Sequence, residues 1–117
     1  MGWSSGELIE SWTLADTDWG LVANKSGPTR LGFALLLKFY EIEGRFPREP
    51  SEVPAEAVIY VAQLVEVDPE AFERYSWVSR TIEYHRAQIR EAFGTRLGVS
   101  WRKLRYGAIW VALFGVG

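Results

Sequence analysis

A chain of 117 residues, 48% of them apolar and six of them tryptophan, is enough for one domain with a modest core and is not a disordered composition. It has no cysteine and a single histidine, which excludes disulfides, thiolate nucleophiles and cysteine-ligated zinc. The net charge of -2 conceals an asymmetry: residues 41–73 carry nine acids against Arg45 and Arg48, whereas residues 74–105 carry eight bases against Glu83 and Glu91.

Apolar spacing is helical along most of the chain. A short helix is expected over 7–12 and a second over 16–24, the latter with Asp16 and Asp18 in its first turn, where the helix dipole favours acids. Asn24-Lys25-Ser26-Gly27-Pro28 is a stop: Gly27 can take a left-handed cap, and Pro28 cannot continue the old helix. A third helix is expected over about 29–42. Leu31, Phe33, Leu35, Leu36, Leu37, Phe39, Tyr40 and Ile42 leave only a narrow polar stripe of Arg30, Lys38 and Glu41, so this helix should be central and buried. Gly32 inside it costs up to ~1 kcal/mol relative to alanine, and close approach of a neighbouring helix is the expected compensation. Gly44 ends the helix.

A loop with Pro47 and Pro50 follows over 45–53. Pro54 suits a first helical position, and Val58, Val61, Ala62 and Val65 then form an apolar stripe, widened by Ile59 and Leu64. Asp68-Pro69 is a further start signal, Asp as cap and Pro just inside, with Ala71, Phe72 and Tyr75 on the buried side. The sharpest pattern covers 79–93. At 100° per residue, Val78, Ile82, His85, Ile89, Ala92 and Phe93 share one face, and Arg80, Glu83, Tyr84, Arg86, Arg90 and Glu91 share the other. Gly94 closes it. Residues 95–106 are basic and irregular, with Arg96, Arg102, Lys103 and Arg105. Residues 108–114 are an uninterrupted apolar run, far short of the ~20 residues a bilayer span needs, and read as a buried strand or a last helical turn.

Signatures of chemistry are missing. His85, alone on an apolar face, reads as a packed residue with one satisfied nitrogen and has no second histidine or cysteine with which to share a metal. There is no G-x-S-x-G and no phosphate-binding glycine loop. Asp16/Asp18 and Glu41/Glu43 fit capping and solvation better than acid–base work. Six tryptophans can build a core from few residues, provided each ring N–H finds a partner, and most of the aromatics should be interior. Tyr84, between Arg80 and Gln88, is the aromatic most expected to be exposed, as surface packing or as a platform for a base.

Arg30-Leu31-Gly32-Phe33-Ala34-Leu35, continuing to Tyr40 and then Gly44-Arg45-Phe46, resembles a signature of the Tn-three family of replicative transposases. More blocks follow in order: Glu52-Val53-Pro54, Tyr60-Val61-Ala62, Val67-Asp68-Pro69, Arg80-Thr81, His85, Ile89-Arg90 and Gly94, with Trp12-Thr13-Leu14 upstream. Over about residues 7–94 the chain is similar to the N-terminal domain of that family, long carried as a domain of unknown function. The resemblance implies an all-helical fold and recognition of the terminal inverted repeats of a transposon. It also implies that catalytic acids and their magnesium ions lie in a separate downstream domain. The pattern lapses after Gly94, where Thr95 replaces an aromatic and residues 97–117 do not fit, as a shifted reading frame after truncation would produce.

The expectation is therefore an all-α, compact multi-helix bundle over 1–94 and a divergent basic-then-apolar tail over 95–117. The protein should be cytoplasmic and non-catalytic, without cofactor, metal or small-molecule substrate. Its expected partners are DNA and a full-length transposase. The candidate phosphate contacts are Arg80, Arg86 and Arg90 on one helix and Arg96 just past it, joined by Arg30 and Lys38 if the polar stripe of the central helix reaches the surface. Other readings fit the same residues. In one, these arginines pair with Glu83 and the acidic 41–73 segment. In others, the chain is a transposase relic without autonomous activity, a helical protein–protein adaptor using its acidic half, or a surface-associated peptide using its tail.

Overall fold

Pro28, in the first turn of helix α3 (Gly27–Glu43), starts the element around which the rest is built. The computed structural model describes residues 3–94, 99–103 and 110–114, with side chains over 3–93. Before α3 come α1 (Ser5–Trp12) and α2 (Asp16–Val22). After it come a 3-10 turn (Pro50–Glu52), α4 (Ala55–Val65), a second 3-10 turn (Pro69–Arg74) and α5 (Arg80–Gly94). Over 31–39 every residue of α3 is buried, because α1, α2, α4, α5 and the second 3-10 turn all lie against it. The all-α bundle and its central helix are thus as the apolar spacing requires.

Local chemistry sets the ends. Ser4 and Glu7 form a reciprocal cap, Glu7 N donating to Ser4 Oγ at 3.2 Å and Ser4 N to Glu7 Oε1 at 2.9 Å, so α1 starts two residues earlier than the apolar pattern alone indicates. Asp18 caps α2 from inside, accepting from Ala15 N at 2.8 Å. Gly27, the first residue of α3, and Gly44, its C-cap, have φ of 57° and 75°, the left-handed values that glycine adopts without steric cost, while α2 is capped at Ala23 and not at Gly27. Asp68 caps the next turn through Glu70 N at 2.9 Å, but the segment winds as a 3-10 helix and ends at Arg74.

The core joins Trp12, Val22 and the α3 row to Val61 and Val65 of α4, Phe72 and Tyr75 beyond it, and Ile82, Ile89 and Phe93 of α5. Two large residues assigned to apolar faces are exposed. Val78 precedes α5 and is 97% exposed, and Ile59 faces solvent on α4. Gly32 is compensated by close approach, as expected, but by a ring rather than a helix: a β-carbon there would stand 2.2 Å from Tyr75 Cδ1. Trp12 is buried and meets Trp3 edge to face at 5.9 Å. The indole N–H groups of Trp12 and Trp77 are buried with no hydrogen-bond partner among the described residues, unlike the partnered rings expected. In the tail, Val99–Lys103 (β1) and Trp110–Phe114 (β2) pair antiparallel, Val99 opposite Phe114 and Lys103 opposite Trp110. Residues 110–114 of the apolar run are therefore a strand, and β1 runs beside α3 and α5.

Candidate nucleic-acid interface

The basic block contributes one described helix, α5. Its buried line is Ile82, His85, Ile89 and Phe93, which spaces the remaining residues around the outside. At 3.6 residues per turn, Arg86 and Arg90 are about 40° apart, and Arg80 is about 80° beyond Arg90. Arg80 and Arg90 are exposed and Arg86 is half-buried. The structure brings Arg86 and Arg90 together over one ring, that of Phe46, with their guanidinium carbons 6.0 and 5.2 Å from its centroid. Phe46 is itself held on α3 by Tyr40 at 4.6 Å, and Tyr40 meets Phe93 at 5.4 Å.

Among the described residues no carboxylate lies within ion-pair distance of Arg80, Arg86 or Arg90. Several acids of the 41–73 segment are engaged elsewhere. Glu52 accepts from Arg45 Nη2 at 2.8 Å and from the Arg48 amide, and these bonds hold its carboxyl below the usual range. Glu56 accepts from Trp3 N at 2.8 Å. Glu49 accepts from Ser51 at 2.6 Å. Pairing of the α5 arginines with Glu83 or with the acidic segment does not occur. The acidic segment approaches α5 through uncharged Phe46.

The other candidate cations are placed differently. Lys38 is a correction: it is only 3% exposed, paired with Asp18 at 3.1 Å and with Glu41. The polar stripe of α3 is covered there by α2, so Lys38 cannot reach a phosphate. Arg30 is half-buried and bonds two carbonyls, Lys25 O through Nε at 2.7 Å and Val65 O through Nη1 at 3.4 Å. It ties the start of α3 to the end of α4, ten residues, or about 15 Å, along α3 from Tyr40. Arg96 lies outside the described residues. Phe46, Arg45 and Lys25 were not among the candidates. Lys25 Nζ bonds Leu21 O at 2.8 Å and Gln88 Oε1 at 3.1 Å and sits 4.0 Å over the Phe33 ring, and burial lowers its pKa. Composition held no signal for Phe46 beneath Arg86 and Arg90 or for Lys25 beside Gln88, because each joins residues far apart in the chain.

His85 is interior. Its Nδ1 is 2.7 Å from the Tyr75 hydroxyl, its ring stacks on Tyr75 at 5.7 Å and meets Phe33 edge-on at 5.0 Å. Burial, helped by the Lys25 charge, pushes it down to about 4, so it is neutral near pH 7. Burial also raises the Tyr75 phenol. With a protonated phenol and a neutral imidazole, the simplest arrangement has Tyr75 donating to Nδ1. Among the described residues no group of three His, Asp or Glu is placed to share a metal ion, and no helix is long and apolar enough to cross a membrane.

The model of a family described as a domain of unknown function, DUF4158, matches residues 2–112. The chain belongs to the DUF4158 family. The match is wider than the 7–94 blocks and takes in β1 and part of β2. This DUF4158 domain is also 31% identical over 88 residues to the transposase for transposon Tn501 of Pseudomonas aeruginosa, covering 74% of the chain and 9% of that transposase. It is thus a transposase-related domain that spans a small part of the relative's length. No solved structure matches it. Within the domain, several residues of the Tn-three-like blocks have structural duties: Gly32 receives Tyr75, Arg30 clamps two carbonyls, Gly44 reverses the chain and Asp68 caps a turn.

Proposed function

We propose that this DUF4158 domain is a non-catalytic DNA-binding module that helps a Tn-three-type transposase recognise the terminal inverted repeats of its transposon. The observation that carries the reading is the pair Arg86 and Arg90, one turn apart over Phe46 and unpaired with any carboxylate among the described residues. A guanidinium held against a ring keeps its planar N–H edge for an acceptor, and phosphate is the acceptor such forks fit. Arg80 lies further round the same helix and extends the surface. Arg30 and Lys38 serve the fold. The contacts named are to backbone phosphate, which orients a protein on a duplex without reading its sequence.

The test is fluorescence anisotropy with a duplex bearing the Tn501 terminal inverted repeat and a scrambled duplex of equal composition, at about 50 and about 200 mM salt. The repeat should bind more tightly than the scrambled duplex, and both should weaken as salt rises. Absence of binding to either duplex at the lower salt contradicts the reading.

A further inference from the structure

We propose that the turn 44–48, which belongs to the acidic stretch by sequence, is the second half of the phosphate-contacting surface, with Phe46 as a positioning residue for Arg86 and Arg90 and Arg48 as an added contact. The proposal rests on the DNA-binding reading above and deepens it.

Phe46 packs at the edge of the core and also meets both arginines. It is half-buried, with Tyr40 on one side at 4.6 Å and two guanidinium groups approaching at 5.2 and 6.0 Å. The ring therefore restricts two long side chains that would otherwise sample many rotamers in water, and guanidinium groups so held lose less freedom when a phosphate arrives. The turn that presents the ring is braced by hydrogen bonds. Gly44 reverses the chain at φ 75°. Arg45 then braces it twice, Nη1 donating to Phe46 O at 3.2 Å and Nη2 to Glu52 Oε1 at 2.8 Å.

The charge of this turn is balanced. Glu52 pairs with Arg45 and accepts from the Arg48 amide, Glu49 accepts from Ser51, and over 44–52 Arg45 and Arg48 equal Glu49 and Glu52 in number. Arg48 is exposed, and among the described residues its guanidinium has no carboxylate within ion-pair distance. It follows Phe46 by two residues, within about 7 Å along the chain. Arg86 and Arg90 are thus gathered by one ring, and Arg48 lies two residues from that ring in the other segment.

The experiment uses the full chain and the scrambled duplex, with Phe46→Leu and Phe46→Trp made in the parent and in an Arg86→Ala/Arg90→Ala background, and Arg48→Ala made in the parent. Circular dichroism establishes that each variant is folded at the assay temperature, and Phe46→Met replaces Phe46→Leu should the latter be unfolded. Phe46→Leu should weaken binding about three- to tenfold, Phe46→Trp should bind within about twofold of the parent, and Phe46→Leu should add nothing once both arginines are gone. Arg48→Ala should lower the slope of log affinity against log salt by about 0.9. A Phe46→Leu variant that binds like the parent, or that weakens binding equally without the arginines, overturns the positioning role. An unchanged slope for Arg48→Ala overturns the added contact. If Arg86→Ala/Arg90→Ala itself binds like the parent, the DNA-binding reading fails first, which separates the two claims.

Discussion

Tyr75 occupies the space that any side chain at Gly32 would need: a β-carbon on Gly32 would stand 2.2 Å from Tyr75 Cδ1 and 2.4 Å from Cε1 and Cγ. The tyrosine seated there reaches His85 with its hydroxyl at 2.7 Å, so the absent side chain on α3 fixes a hydrogen bond between the link after α4 and the face of α5.

Gly32→Ala sets two effects against each other. Helix propensity favours alanine by ~1 kcal/mol. Displacing the ring costs about 1–3 kcal/mol as overpacking, and losing the Tyr75–His85 bond costs about 1 kcal/mol more. The substitution should therefore destabilise the domain by about 1–3 kcal/mol in urea unfolding. An alanine variant as stable as the parent would show that the ring is free to move.

His85 makes stability depend on pH. Its folded pKa is depressed to about 4 from the ordinary 6.5, so between these values the unfolded chain binds the extra proton. Stability is complete above the unfolded pKa and falls as pH drops from 6.5 towards 4. Two pH units inside that window correspond to about 2–3 kcal/mol. Glu7, Glu52 and Glu56, whose pKa values lie below the ordinary 4.5, lose their contributions at lower pH, so the interval from 6.5 to 4.5 isolates the histidine. Urea unfolding of the parent and of His85→Gln at several pH values across it should show a slope that the variant lacks. Equal slopes would mean that the imidazole is as solvated as in the unfolded chain.

Lys38 should behave as a core residue and not as a DNA contact. Lys38→Ala strands the Asp18 carboxylate, itself only 3% exposed, and should cost about 3–5 kcal/mol. A Lys38→Ala variant that melts like the parent but loses DNA affinity would reverse this assignment.

Much of the fold was legible because it rests on local signals. The apolar row of α3, the capping glycine Gly44, the Asp68-Pro69 start and the segregated faces of α5 are each set by residues within a few positions. Ser4 and Glu7 form a capping box at the standard spacing, and reading it would have placed the start of α1. The 3-10 winding after Pro69 and the exposure of Val78 were not legible, because each depends on how the chain must turn to bring Tyr75 onto Gly32. Arg86 and Arg90 were legible as a neighbouring pair from helix geometry alone. Their anchor was not, because Phe46 lies some forty residues upstream, in a segment that carries nine acids against Arg45 and Arg48. Lys38 was misplaced because a narrow polar stripe on an apolar helix looks the same whether water or a buried aspartate faces it.

The most direct test concerns the two arginines over Phe46. Arg86→Ala combined with Arg90→Ala should leave the thermal melt nearly unchanged and lower the slope of log affinity against log salt by about 1.8, about 0.9 for each phosphate no longer neutralised. Binding should weaken by the same factor for the inverted-repeat duplex and for a scrambled one, because phosphate carries no sequence information. A double variant that keeps the parent's slope and affinity but melts earlier would contradict the DNA-binding reading and make the two arginines structural.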